Sequence, residues 1–250
     1  MRALAVRYPL LFSVIVVAVY DPGLTAALSG LTKQPTLRLS DLLNAQVILS
    51  LYVAALLTSL RWWREAGFLA RLTRRSLLSY LPWLLLPLLT VADCGQVTSG
   101  PSRILGFALF ALLVGLAEEG LLRGVVLRAL LPGGVMRAAL LSSLLFGVAH
   151  LSNMFQGREV GATIVQAIYA TFIGIGFAGC RLYTGAIWPA IIMHGLIDFA
   201  DFASRDFTPS VEAQPFTAAR AIAPIVITGL YALYGWWLLR RHRGAAAPQG

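Results

Sequence analysis

Residues 104–131 read ILGFALFALLVGLAEEGLLRGVVLRALL, and the reading of this stretch decides the fold. A helix crosses a bilayer in roughly 17–25 predominantly apolar residues, and this run is long and apolar enough to do so. Yet it carries Glu118 and Glu119 side by side, with Arg123 one helical turn after Glu119. A carboxylate at mid-bilayer costs on the order of 2.5–3.5 kcal/mol on insertion scales, so an intramembrane acid is a functional candidate by default.

The rest of the chain has the same character. It has 250 residues, 58% hydrophobic and only 12% charged, where a soluble domain carries about 25% charged residues. The expected fold is all-α: a polytopic membrane helix bundle of about eight transmembrane helices. A single bundle is expected over 1–244, with its catalytic core at about 104–202 and a disordered tail at 245–250. The candidate spans are 5–20, 41–60, 77–92, 104–130, 136–151, 162–180, 185–202 and 218–239. Pro22-Gly23, Pro101, Pro132-Gly133-Gly134 and the polar segment 203–216 punctuate them.

The net charge of +9 is explained by arginines in short loops, and no nucleic-acid partner is expected. With both termini in the cytoplasm, Arg2, Arg7, Arg61, Arg64, Arg71, Arg74, Arg75, Arg128, Arg137, Arg181, Arg240, Arg241 and Arg243 fall inside. Lys33, Arg38, Arg103, Arg158, Arg205 and Arg220 fall outside, diluted by acids. This is the positive-inside pattern, and it implies a multi-pass protein of the cell (inner) membrane, with the lipid bilayer as its first partner. The basic start and short apolar core of residues 1–20, followed by Thr25-Ala26-Ala27, also suit a signal peptide; an uncleaved first helix keeps the better charge pattern. Segment 61–76 reads either as an amphipathic stretch on the inner surface or as an ordinary basic loop. Cys94 and Cys180 are expected on opposite sides of the membrane, which leaves no internal disulfide and no redox motif.

Three polar groups interrupt the apolar helices. On one helix Glu119 and Arg123 stand four apart, as an ion pair requires, while Glu118 points about 100° away. His150 closes the run LLSSLLFGVAH, with Phe146 four residues earlier. His194 and Asp198 stand at i and i+4 within AIWPAIIMHGLIDFA, so the carboxylate can orient the imidazole or share an ion with it. Each group alone also has a bland reading as a polar contact between helices, although an ion pair of Glu119 with Arg123 leaves Glu118 unexplained. Together they suggest a reaction centre inside the membrane.

Glu118-Glu119-x-x-x-Arg123, Phe146-x-x-x-His150 and His194-x-x-x-Asp198, in that order, resemble the three motifs of the CAAX prenyl endopeptidase and bacteriocin-processing (Abi) family of intramembrane proteases. The resemblance covers residues 118–198. It implies an endopeptidase acting near the C-terminus of a membrane-associated or lipidated protein or peptide. By the same resemblance Glu118 and His150 activate water, His194 and position 198 stabilise the oxyanion, and Glu119, Arg123 and Phe146 support them. A dry site suits a carboxylate for general-base work. The family often has Asn where this chain has Asp198, and an ionised Asp cannot donate to an oxyanion; it must be protonated or orient His194. A glutamic mechanism without a cofactor is favoured. Zinc on His150, His194 and Glu118 is the other reading, weakened by the lack of a His-Glu-x-x-His helix. An ion- or proton-coupled transporter and a non-catalytic bacteriocin-immunity or scaffold protein are the competing functions.

Overall fold

Apolar runs bounded by Gly and Pro have one economical solution in lipid, a helix that satisfies its own backbone. The computed structural model describes residues 1–20, 38–94, 100–205 and 217–245, and among them every regular element is helical. In chain order these are α1 (Arg2–Arg7), α2 (Pro9–Ala18), α3 (Leu39–Leu60), α4 (Arg74–Leu78), α5 (Leu85–Cys94), α6 (Pro101–Glu119), α7 (Leu127–Leu130), α8 (Val135–Ala149), α9 (Val160–Thr184), α10 (Trp188–Arg205) and α11 (Ala218–Ala245). A π-helical segment, Gly120–Val126, joins α6 to α7, and a 3-10 segment, His150–Gln156, extends α8.

Among the described residues, six helical stretches are long and apolar enough to cross a membrane: Leu39–Leu60, Arg74–Ala92, Pro101–Gly133, Val135–Phe155, Val160–Thr184 and Ala221–Arg241. They fit a multi-pass membrane protein. Two of the eight expected spans, the first and the seventh, are not among these six. Pro9 breaks the first expected span at Tyr8, leaving a ten-residue piece, which rises only about 15 Å. The seventh, α10, has 18 residues, but they include Asp198, Asp201 and Arg205. The Pro22-Gly23 turn, the Thr25-Ala26-Ala27 site, most of segment 203–216 and the tail from 246 lie outside the described residues, as does the side chain of Cys94. Cys180 is a buried free thiol.

Of the two readings of segment 61–76, the loop fits residues 61–70 better: they form turns, and Trp62, Ala66 and Phe68 are buried. Arg181 of α9 fixes it from beneath, donating from Nε to the Ala66 carbonyl (3.0 Å) and from Nη2 to the Glu65 carbonyl (2.8 Å). Trp188 Nε1 donates to the Phe68 carbonyl at 3.0 Å. The segment is a strap across the ends of α9 and α10.

Two close helix crossings set the frame. On the first, α9 packs on α11 through Gly176, Gly179 and Gly235; a Cβ on Gly235 would lie 2.5 Å from Gly176 Cα. Beside it Trp83 is fully buried, its ring centroid 4.2 Å from that of Phe177 and 4.4 Å from that of Tyr231. On the second, α6 packs on α10, where a Cβ on Gly115 would stand 2.5 Å from the Ile191 carbonyl oxygen and one on Gly195 3.2 Å from that of Ala111. Small residues permit such approach where lipid gives no hydrophobic drive between helices.

Candidate active site

The crossing of α6 on α10 is also what assembles the polar centre. Gly115 lies one turn before Glu119, and Gly195 adjoins His194, so the contact that closes the helices delivers both glutamates to the imidazole. His194 Nδ1 lies 2.8 Å from Glu119 Oε1. The same oxygen takes Arg123 Nη1 at 3.2 Å. Since a carboxylate oxygen so shared with Arg accepts, Nδ1 is the donor nitrogen of His194. Its Nε2 faces Glu118 Oε2 at 3.6 Å and Asp198 Oδ2 at 3.5 Å.

Exposure grades across the cluster. The Glu119 and Arg123 side chains are 0% exposed, His194 11%, Glu118 21% and Asp198 25%. The Glu119–Arg123 pair is therefore sealed behind His194, and Glu118 and Asp198 form the open side. Among the described residues no nitrogen of Arg123 finds a hydrogen-bond acceptor, and Glu119 Oε2 finds no donor. Aromatic faces hold the guanidinium instead: its Cζ stands 4.4 Å from the Phe146 ring centroid and 5.9 Å from that of Phe177. Gly174 leaves room for it, because a Cβ there would come within 3.0 Å of Arg123 Nη2.

The second motif reaches the cluster through Phe146. Its ring meets His150 edge-on at 4.7 Å and His194 at 6.0 Å between centroids. His150 Nδ1 lies 2.8 Å from the Phe146 carbonyl oxygen; a carbonyl only accepts, so Nδ1 donates and Nε2 is the acceptor nitrogen of the neutral ring. His150, Glu118 and Asp201 all lie within electrostatic reach of Asp198. The three motifs, on helices separate in sequence, thus come together.

Sequence spacing did not show the shortest contact of His194. Asp198, one group that could orient the imidazole, lies 3.5 Å from Nε2, while Glu119 makes the 2.8 Å contact to Nδ1 across the helix interface. Spacing of i and i+4 reports neighbours on one helix and is silent about the next. The reading also missed the π-helical segment after Glu119, where Gly120 meets Val53 and Gly124 meets Ala66, and π-helical turns frequently occur at functional sites. It missed Gly115, Gly174, Gly195 and Phe177 as well. A search for small residues one turn from each polar residue would have found Gly115 and Gly195.

For zinc the donors would be His150, His194 and Glu118. Among the described residues no three His, Cys, Asp or Glu side chains are grouped to hold a metal ion. The Nδ1 atoms of both histidines are committed to Glu119 and to a carbonyl, so each ring could present only Nε2 to an ion.

Comparison with known proteins adds one finding. No curated protein and no solved structure matches the chain. Residues 100–200 match the family described as type II CAAX prenyl endopeptidase Rce1-like. That segment runs from the start of α6 into α10 and contains Glu118, Glu119, Arg123, Phe146, His150, His194 and Asp198. The match supports membership of the CAAX prenyl endopeptidase and bacteriocin-processing family, through the part of the chain that builds the polar centre.

Proposed function

We propose that the chain is an intramembrane endopeptidase of glutamic type, cutting a peptide bond near the C-terminus of a membrane-associated or lipidated protein or peptide. One observation carries this reading: His194 is held by Glu119 on Nδ1 and turns Nε2 towards Glu118 and Asp198 on the open side of the cluster. The match to a CAAX-type endopeptidase family over the same residues supports it.

The chemistry follows from the positions. Glu118, partly exposed beside a sealed ion pair, takes a proton from water, with His150 Nε2 accepting the second water hydrogen bond. The water oxygen bonds to the scissile carbonyl carbon, and the carbonyl π pair moves onto oxygen. Protonated His194 donates from both nitrogens, to Glu119 from Nδ1 and to the new oxyanion from Nε2, where a preorganised donor is worth most. Asp198, ionised, does not donate; it orients Nε2–H and balances its charge. Glu118 then returns its proton to the amide nitrogen as the C–N bond breaks and the oxyanion pair re-forms the carbonyl, releasing a carboxylic acid and an amine. Glu119, Arg123 and Phe146 are positioning residues.

The remaining expectations belong to this reading: residues 1–244 as one bundle in the cell (inner) membrane, both termini cytoplasmic, and a membrane-bound protein or peptide as substrate. The test is terminal peptidomics of cells carrying the wild type or Glu118→Ala, with insertion of both confirmed. A trimmed C-terminus present only with the wild type is expected, and it names the substrate. Cleavage by the purified protein should persist in a zinc chelator; its loss, restored by zinc, would replace the glutamic mechanism. Identical peptide profiles from well-inserted proteins would point to a carrier or an immunity protein.

A further inference from the structure

Outside the polar centre, three membrane-spanning stretches end at one place. Span Arg74–Ala92 begins there, and spans Val160–Thr184 and Ala221–Arg241 finish there. Between them lies a groove of about 500 Å³, lined in part by Arg74, Arg75, Tyr183, Tyr234 and Trp237. If these stretches cross a bilayer as their length and hydropathy allow, their ends put the groove at the headgroup region.

Two guanidiniums line the groove, and a third, that of Arg241, stands over its lining residue Trp237. Arg74, Arg75 and Arg241 are exposed, and among the described residues none of them forms an ion pair. Glu65, the one acid of segment 61–76, is likewise exposed and pairs with none of them. Two of these guanidiniums are held flat on aromatic rings: Arg75 Cζ lies 3.6 Å from the Tyr183 centroid and Arg241 Cζ 3.9 Å from that of Trp237. Stacking fixes the plane of an arginine and leaves its N–H edge for a ligand, the geometry that suits phosphate. The aromatic wall is itself fixed, with Tyr234 stacked on Trp237 at 5.9 Å and its hydroxyl donating to the Ser79 carbonyl at 3.0 Å. Apolar surface continues from the groove along the same helices, where Leu77, Leu78, Leu81, Leu230 and Leu233 are exposed.

We infer that this groove binds the phosphate headgroup of an anionic phospholipid, with its acyl chains lying along the exposed leucines. The chemistry is that of basic pockets between helices on the cytoplasmic side of a membrane. The inference is independent of the proposed proteolysis, since no residue of the groove belongs to the polar centre.

The experiment is native mass spectrometry of the full-length protein released from mixed phosphatidylglycerol and phosphatidylcholine micelles, counting retained lipids. Wild type is expected to retain phosphatidylglycerol preferentially. Arg74→Gln with Arg75→Gln should lower that retention roughly fivefold per arginine, and Arg241→Gln should lower it further. These residues are exposed, so the variants should fold; Arg2→Gln with Arg7→Gln removes equal charge elsewhere and should have no effect. Equal retention of the two lipids by wild type, an equal loss in the Arg2/Arg7 variant, or displacement of the lipid by millimolar inorganic phosphate would each overturn the assignment. The last would mark a site for free phosphate.

Discussion

Replacing Glu119 by Gln separates what the buried pair does for the fold from what it does for the site. Glu119 Oε1 is shared between His194 Nδ1 at 2.8 Å and Arg123 Nη1 at 3.2 Å, and Glu119 and Arg123 are fully buried. At an effective dielectric of about 20 the ion pair alone is worth roughly 5 kcal/mol before desolvation. Removing one partner leaves Arg123 charged, dry and without a carboxylate, a change that typically costs about 3–5 kcal/mol. A protein of this size should then unfold on the order of 10 °C lower. Adding Arg123→Met to Glu119→Gln removes both charges together and should return most of that loss, because a buried pair is close to neutral against apolar replacements. Cleavage should not return. The neutral amide no longer balances a protonated His194, and losing the group that orients an imidazole costs about 10²–10⁴ in turnover. The assay is thermal unfolding in detergent, followed by tryptophan fluorescence, alongside single-turnover cleavage of the substrate found by peptidomics. A Glu119→Gln protein with wild-type stability and wild-type rate would refute the anchoring role. A double variant that regains its rate together with its stability would show the pair to be structural only.

Further outcomes follow from the same distances. Gly115→Ala should cost about 1–3 kcal/mol and most of the activity, because its Cβ meets the Ile191 carbonyl at 2.5 Å; Gly195→Ala, with its nearest contact at 3.2 Å, should be milder in both. The ranking is checked by unfolding and cleavage of the two variants side by side, and a reversed order would mean that the α6–α10 crossing does not set the site. Glu118→Gln should leave unfolding within about 1 kcal/mol of wild type, since the side chain is 21% exposed, while cleavage falls to background. Arg181→Met removes two charge-assisted bonds to the 61–70 strap, each worth about 1.5–3 kcal/mol. Limited proteolysis should then cut at Arg61, Arg64 or Arg71 faster than in the wild type, and an unchanged cleavage pattern would show that the strap is held by other contacts.

The sequence by itself determined the class of fold and singled out the polar residues that the fold brings together. Apolar runs such as 104–131 have no other way to satisfy their backbones in lipid, and a charged residue inside such a run is too costly to be incidental. Glu118, Glu119, Arg123, His150, His194 and Asp198 stood out for that reason, before any geometry was known. Hydropathy alone did not determine how long each apolar helix runs or how many charges it carries: Pro9 divides the first expected span, and α10 carries Asp198, Asp201 and Arg205. Nor could spacing tell which carboxylate holds His194, because the bond to Glu119 joins residues 75 positions apart in sequence. Only the packing decided it. Glycines without a Cβ let α6 and α10 approach until backbone meets backbone, and that approach, a property of two surfaces together, gave Glu119 to the imidazole and left Glu118 on the open side.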